Sequence, residues 1–422
     1  MNIIDQWARR TLESRLSGLQ GGTLSIVDGE GVTSHGASTG SPAGAASLDA
    51  ALCVHVDRFY RRVLTRSDVG LGEAYVDGDW SSPDLVTFVR LMLRNVDLVE
   101  RRSVARALVR ALGRWRRRRR DNSIEGSRRH IHEHYDLGND FFRLFLDDHL
   151  MYSCAVYDAC DATLEQAQRA KLDRICRRLS LGPGDHLLEI GGGWGGLAVW
   201  AATRYGCRVT TTTISEEQYR HAVAWASRLG EAGARIDVRK VDYRELSGRF
   251  DKIVSIEMFE AVGLRHYDDY FGSVERLLAP DGVMLLQTIT VDEQRFPDYQ
   301  GSPDWIEQYI FPGGELASVG EILRSLTRVT SLSLYHAENI GRHYARTLHQ
   351  WRARFRERLD DVRALGFDER FLRTWDLYLA FCEAAFLERH IGLFQFLLSR
   401  NYSRATLFNE PWRTASAESA LA

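Results

Sequence analysis

The sequence predicts an α/β protein: a doubly wound, mostly parallel sheet with helices on both faces, preceded by a smaller N-terminal domain. Three observations carry this. The stretch LLEIGGGWGGLAVWAA, Leu187 to Ala202, runs from a buried-strand pattern through glycines into a helix-period apolar segment. Further strand patterns then alternate with helical ones, as βαβ units require. Finally, 422 residues exceed the usual single domain and allow two.

Gly191, Gly193 and Gly196 fit a G-x-G-x-x-G spacing, where missing side chains permit positive φ and close approach of backbone to a ligand. That spacing alone suits NAD, FAD, S-adenosylmethionine or a turn with no ligand. A second strand is expected at Arg208 to Thr213. Near its end the polar candidates are Thr213, Glu216 and Gln218, with no acid at the strand tip of the kind that holds an NAD ribose. The third unit reads VDYREL from Val241, then FDKIVSIEMFEAVG from Phe250. Asp242 beside Tyr243 suits an adenine slot, the acid for the exocyclic amine and the ring as a flat wall. Later strands are expected at Lys252 to Ile256, Val283 to Thr290, Ser331 to His336 and Leu393 to Ser399. The helical, aromatic segment from about 344 to 390 falls between the last two, where a substrate cap would be inserted. In the first 120 residues TLSIVDGEGVTSHG reads as strand and SPDLVTFVRLMLRNV as a helix capped by Ser82 or Asp84. The predicted division is therefore 1–120 and 121–422.

Composition narrows the class. Hydrophobic content of 44% and charged content of 27% are those of an ordinary globular protein. No apolar span approaches the length of a membrane helix, and MNIIDQWARRTLESRL lacks the core of a signal peptide, so a cytoplasmic location is expected. Six cysteines show no CxxC spacing, which points away from a zinc site or a disulfide framework. His130, His132 and His134 alternate, but no metal site is expected from them.

The net charge of −2 hides an asymmetry. Arginines crowd residues 101–120, ending in the run Arg116 to Arg120. Val104, Leu108, Leu112 and Trp115 among them would share one helical face. Such a basic amphipathic helix fits anionic lipid, nucleic acid or a solvated surface.

Several motifs together resemble the cyclopropane-fatty-acyl-phospholipid synthases. They are MYSCAVY (Met151 to Tyr157), LEIGGGWGG (Leu188 to Gly196), TISEEQ (Thr213 to Gln218), DYRE (Asp242 to Glu245), SIEMFEAVG (Ser255 to Gly263), YIFPGGELAS (Tyr309 to Ser318) and HYARTLHQW (His343 to Trp351). Their order and spacing match across roughly residues 125–400. The resemblance implies a class I methyltransferase (Rossmann-like) domain with a helical substrate cap. It also implies transfer of a methylene from S-adenosylmethionine to a cis double bond of a phospholipid acyl chain, through a carbocation deprotonated by bound bicarbonate. By motif match Cys154, Glu260, Tyr344 and Gln287, with the backbone at Ile289, would hold that bicarbonate. Tyr152, Ser153, Glu189, Gly191, Gly193, Thr213, Gln218, Asp242, Tyr243 and Ile256 would contact S-adenosylmethionine. An alkene is a poor nucleophile, so such chemistry needs apposition, exclusion of water and a base. The arginine run then becomes a device for docking on a membrane without spanning it, and nucleic acid is not an expected partner. A homodimer would present paired docking surfaces.

Two residues depart from the family pattern. Gln287 stands where many members have histidine, and Glu257 where many have glycine. An amide donates to an anion but cannot be protonated, and Glu257 adds a carboxylate near Glu260. If the cation is deprotonated elsewhere, the same machinery gives methyl- or methylene-branched chains. A reading of another class is a non-catalytic lipid-binding protein that keeps the methyltransferase shell.

Overall fold

The computed structural model describes residues 2–37, 46–99, 137–300, 304–405 and 407. The arginine-rich segment and His130, His132 and His134 lie outside them. The chain forms two compact units. One takes in Met1–Arg119, Pro297–Pro312 and Tyr344–Ile391, the other Arg120–Phe296, Gly313–His343 and Gly392–Ala422.

The first unit is built on strands β1 (Gly22–Asp28), β2 (Gly31–Ala37), β3 (Leu48–Val54) and β4 (Trp80–Ser81), in the order β2-β1-β3-β4. β1 and β2 fall in the stretch TLSIVDGEGVTSHG that reads as strand, and pair as an antiparallel hairpin. The helix Leu85–Arg94 starts at Asp84, whose side chain accepts from the Thr87 N–H; Ser82 is not its cap. Residues 344–390, expected as a cap on the α/β domain, belong to this unit instead. The helix Glu369–Leu387 packs along Leu85–Arg94, and Glu388 accepts from Arg90 Nε and Arg94 Nε, each at 2.7 Å.

The second unit holds a seven-stranded sheet in the order β10-β11-β9-β8-β5-β6-β7. Its strands are β5 (His186–Ile190), β6 (Arg208–Thr213), β7 (Ile236–Lys240), β8 (Phe250–Ile256), β9 (Leu278–Val291), β10 (Leu332–Asn339) and β11 (Ile391–Arg400). β5 to β9 pair in parallel, while β10 and β11 are antiparallel. β7 carries no apolar run: it is an edge strand, mostly exposed, so hydrophobic periodicity does not announce it. β5 is apolar throughout because both faces are covered. Leu187 packs with Leu172 and Ile175 on one face, and Leu188 with Phe271 and Val274 on the other. By the same alternation Glu189 faces the side of Leu187, toward the helix Leu164–Arg178 that carries Lys171. The order reverses at β5, which has β8 on one side and β6 on the other. That crevice at the carboxyl ends of the strands is where open α/β sheets bind ligands.

Candidate active site

The glycine turn after β5 is shaped by its neighbours. Gly191 (φ 82°), Gly193 (φ 54°) and Gly195 (φ 92°) occupy conformations that other residues adopt at a cost. Gly192, outside the recognised spacing, is the most constrained in space: a Cβ there would lie 1.8 Å from Thr211 Oγ1 and 2.8 Å from Glu189 Oε2. At Gly193 a Cβ would meet nothing within 4 Å, so the turn opens outward there. Beneath it, Thr211 Oγ1 donates to Glu189 Oε2 at 2.6 Å. Burial raises the Glu189 carboxyl to about 7, opposed by that hydrogen bond and by Lys171.

The remaining predicted cofactor residues fall into two groups. Thr213 Oγ1 donates to Gln218 Oε1 at 2.7 Å, which joins the end of β6 to the next helix. Tyr152 packs its ring 5.3 Å from Phe142, and Ser153 Oγ accepts from Lys171 Nζ at 2.7 Å. Ile256 ends β8 in register with Gln287. Two further residues of this set have partners within the chain. Asp242 accepts from the Arg244 N–H and from its guanidinium, and Tyr243 is part of the apolar core, edge-on to Tyr270.

At the ends of β8 and β9 two carboxylates come together. Glu260 Oε1 accepts from the Ile289 N–H at 2.6 Å and from Thr288 Oγ1 at 3.0 Å, while Oε2 is buried with no hydrogen-bond partner. Burial, then the Glu257 charge, pushes its carboxyl up to about 7. Glu257 Oε1 accepts from the Cys154 N–H at 2.9 Å and from Gln287 Nε2 at 2.7 Å. Gln287 Oε1 in turn accepts from Gln395 Nε2 at 2.8 Å, and Gln395 Oε1 from Arg178 Nη1 at 3.1 Å. The Cys154 thiol is fully buried and donates to the Ala155 carbonyl, 3.1 Å away. Of the six cysteines only Cys160 is exposed.

Residues that sequence reasoning missed hold this loop in place. Gln168 Nε2 donates to the carbonyls of Met151 and Ser153, and the fully buried Lys171 donates to Ser153 Oγ. Burial lowers the Lys171 ammonium, opposed first by Glu257. The signal was present: Lys171 interrupts the apolar stripe of Ala167, Leu172 and Ile175, and Gln395 interrupts the strand GLFQFLL. Tyr344 lies in the first unit, with its ring 4.6 Å from Phe386. A depression of about 420 Å³ near β7, lined by Tyr219, Lys240 and Glu245 among others, includes none of Cys154, Glu257 or Glu260. Its volume does not mark the chemistry.

A parallel sheet with its order reversed at β5, a glycine turn there and a buried acid beneath it define a class I S-adenosylmethionine-dependent methyltransferase. The description of one family, mycolic acid cyclopropane synthetase, matches residues 122–396, and the chain belongs to that family. Tuberculostearic acid methyltransferase UfaA1 of Mycobacterium tuberculosis is 38% identical over 372 residues, 86% of each chain. The cyclopropane-fatty-acyl-phospholipid synthase of Escherichia coli K12 is 40% identical over 344 residues, 81% of this chain and 86% of that one. Among solved structures, mycolic acid cyclopropane synthase CmaA1 complexed with SAH and CTAB superposes with a TM-score of 0.61 at 33% identity, covering 65% of this chain and 98% of that one.

Proposed function

We propose that the protein transfers a methylene from S-adenosylmethionine to the cis double bond of an unsaturated phospholipid acyl chain and closes it to a cyclopropane. The observation that carries this reading is the pair of carboxylates, Glu260 enclosed and Glu257 half-buried, at the ends of β8 and β9 in the sheet whose β5 turn suits the cofactor. Carbocation chemistry needs a proton acceptor, negative charge nearby and little water, and this site supplies all three.

S-adenosylmethionine, when bound, supplies an electrophilic methyl group on a cationic sulfur. The Gly191 to Gly193 turn admits its backbone-hugging end, and the carboxylates of Glu257 and Glu260 favour its positive charge. Glu260, anchored by Ile289 and Thr288, turns an unpaired oxygen into the buried site. Ser153 and Cys154 are fixed by Lys171, Gln168 and Glu257, which keeps the loop bearing Tyr152 in one position.

A second reading is a methyl- or methylene-branched product, which the same carbocation gives when the proton is lost from a chain carbon instead of from the transferred methyl. The name of the Mycobacterium tuberculosis relative, a tuberculostearic acid methyltransferase, is in keeping with it. The test is to incubate the protein with S-adenosylmethionine and anionic liposomes bearing cis-monounsaturated chains, followed by mass spectrometry and proton NMR. Cyclopropane and methylene products share a mass; upfield ring protons support the first reading and vinyl protons the second. Absence of any product while cofactor binds overturns both.

Access to such a chain requires a membrane surface. Among the described residues no helix is long and apolar enough to cross a membrane. The arginines of residues 101–120 suit peripheral docking on the inner, anionic leaflet, each contributing on the order of 1 kcal/mol.

A further inference from the structure

The residues expected to hold bicarbonate do not fit a free anion. The N–H of Cys154 and the amide of Gln287 already point at Glu257 Oε1, and the N–H of Ile289 points at Glu260 Oε1. A bicarbonate placed among these donors would displace one of two carboxylates and be repelled by the Glu257 charge, in surroundings that screen charge less than water does.

We propose that the Glu257 carboxylate is itself the proton acceptor of the reaction, built into the chain in the place where a free bicarbonate was expected. This rests on the acyl-chain methyltransferase reading above.

Three further observations support it. Glu257 has φ 50°, a left-handed conformation that glycine takes freely and a glutamate takes at a cost of about 1–2 kcal/mol. Such a conformation persists at functional sites when the surroundings over-determine it. Here they do: the Glu257 N–H donates to the Gln287 carbonyl at 2.7 Å, so backbone and side chain are both tied to β9. Next, the orientation of the Gln287 amide is fixed from behind. Gln395 donates to its oxygen, which leaves its NH₂ toward Glu257, and Arg178 fixes Gln395; all three side chains are buried. A histidine at 287 would offer one ring nitrogen to each side, whereas the glutamine chain carries one direction of donation from Arg178 to the carboxylate. Finally, the buried Lys171 compensates the charge, and its largest favourable interaction is with Glu257.

The electron balance is simple. The alkene π pair forms the new carbon–carbon bond as the carbon–sulfur bond breaks with its electrons to sulfur. A C–H bond of the transferred methyl then gives its pair to ring closure, and its proton passes to the Glu257 carboxylate. The neutral acid returns that proton to water when product leaves.

The test uses the full-length protein with S-adenosylmethionine and vesicles of oleoyl phosphatidylglycerol, in carbon-dioxide-depleted buffer with and without added bicarbonate. Wild type is expected to turn over at the same rate in both. Glu257→Gln is expected to still bind S-adenosylmethionine by calorimetry, weakened by no more than about tenfold, yet to lose roughly 10²- to 10⁴-fold in rate at saturating cofactor. Glu257→Gly combined with Gln287→His is expected to depend on bicarbonate. Several-fold stimulation of wild type by bicarbonate, or near-full activity of Glu257→Gln, overturns the proposal. A wild type that binds cofactor but makes no lipid product overturns the underlying functional reading instead.

Discussion

Glu260 presents one carboxylate oxygen with two donors and one with none, and its elevated carboxyl has a thermodynamic signature. A carboxyl raised from its ordinary value of 4.5 to about 7 in the fold contributes stability that is fully present below 4.5 and is lost as pH rises through about 7. Glu260→Gln keeps an acceptor for Ile289 and Thr288 but cannot ionise. Its thermal midpoint relative to wild type should therefore climb between pH 5 and pH 7 and level off above, by up to about 3 kcal/mol in stability. A difference that is flat with pH would contradict this. Methyl transfer by the same variant should fall by at least about 10²-fold. At the glycine turn, Gly192→Ala places a methyl against the Thr211 hydroxyl and the Glu189 carboxylate. Calorimetry should show cofactor affinity reduced by about tenfold or more, equivalent to about 1.4 kcal/mol or more.

At the scale of elements, legibility followed the range of the interaction. β5 and its turn were readable because a strand buried on both faces must be apolar and because positive φ selects glycine. Glu260 was readable too, as a carboxylate in an apolar segment that demands partners. The relay of Gln287, Gln395 and Arg178 was not, because its links join residues 108 and 217 positions apart and depend on which strands become neighbours. Likewise, the segment 344–390 reads as helical, but its association with the N-terminal helices depends on long-range ion pairs. Glu388 is the test of that association: it accepts from both Arg90 and Arg94. Glu388→Ala should cost about 1–2 kcal/mol, less than a fully buried pair because Arg90 is partly exposed. Differential scanning calorimetry should show the loss in the transition of the first unit, with Glu388→Gln recovering part of it.

Over the whole molecule, charge is distributed by task. A net charge of −2 coexists with ten arginines in residues 101–120. Replacing Arg116 to Arg120 by glutamine should reduce sedimentation with anionic vesicles by at least about tenfold and weaken its salt dependence, while cofactor binding is untouched. Unchanged partitioning would show that docking uses another surface. The reduced thiols add a practical property. Five of the six cysteines are wholly or partly shielded, including Cys154, and Cys160 alone is exposed. A maleimide dye would therefore attach first at Cys160, ahead of the half-buried Cys53 and Cys382 and a few residues along the same loop from the Cys154 N–H that holds Glu257. Its fluorescence would follow the chain onto lipid without a single engineered substitution.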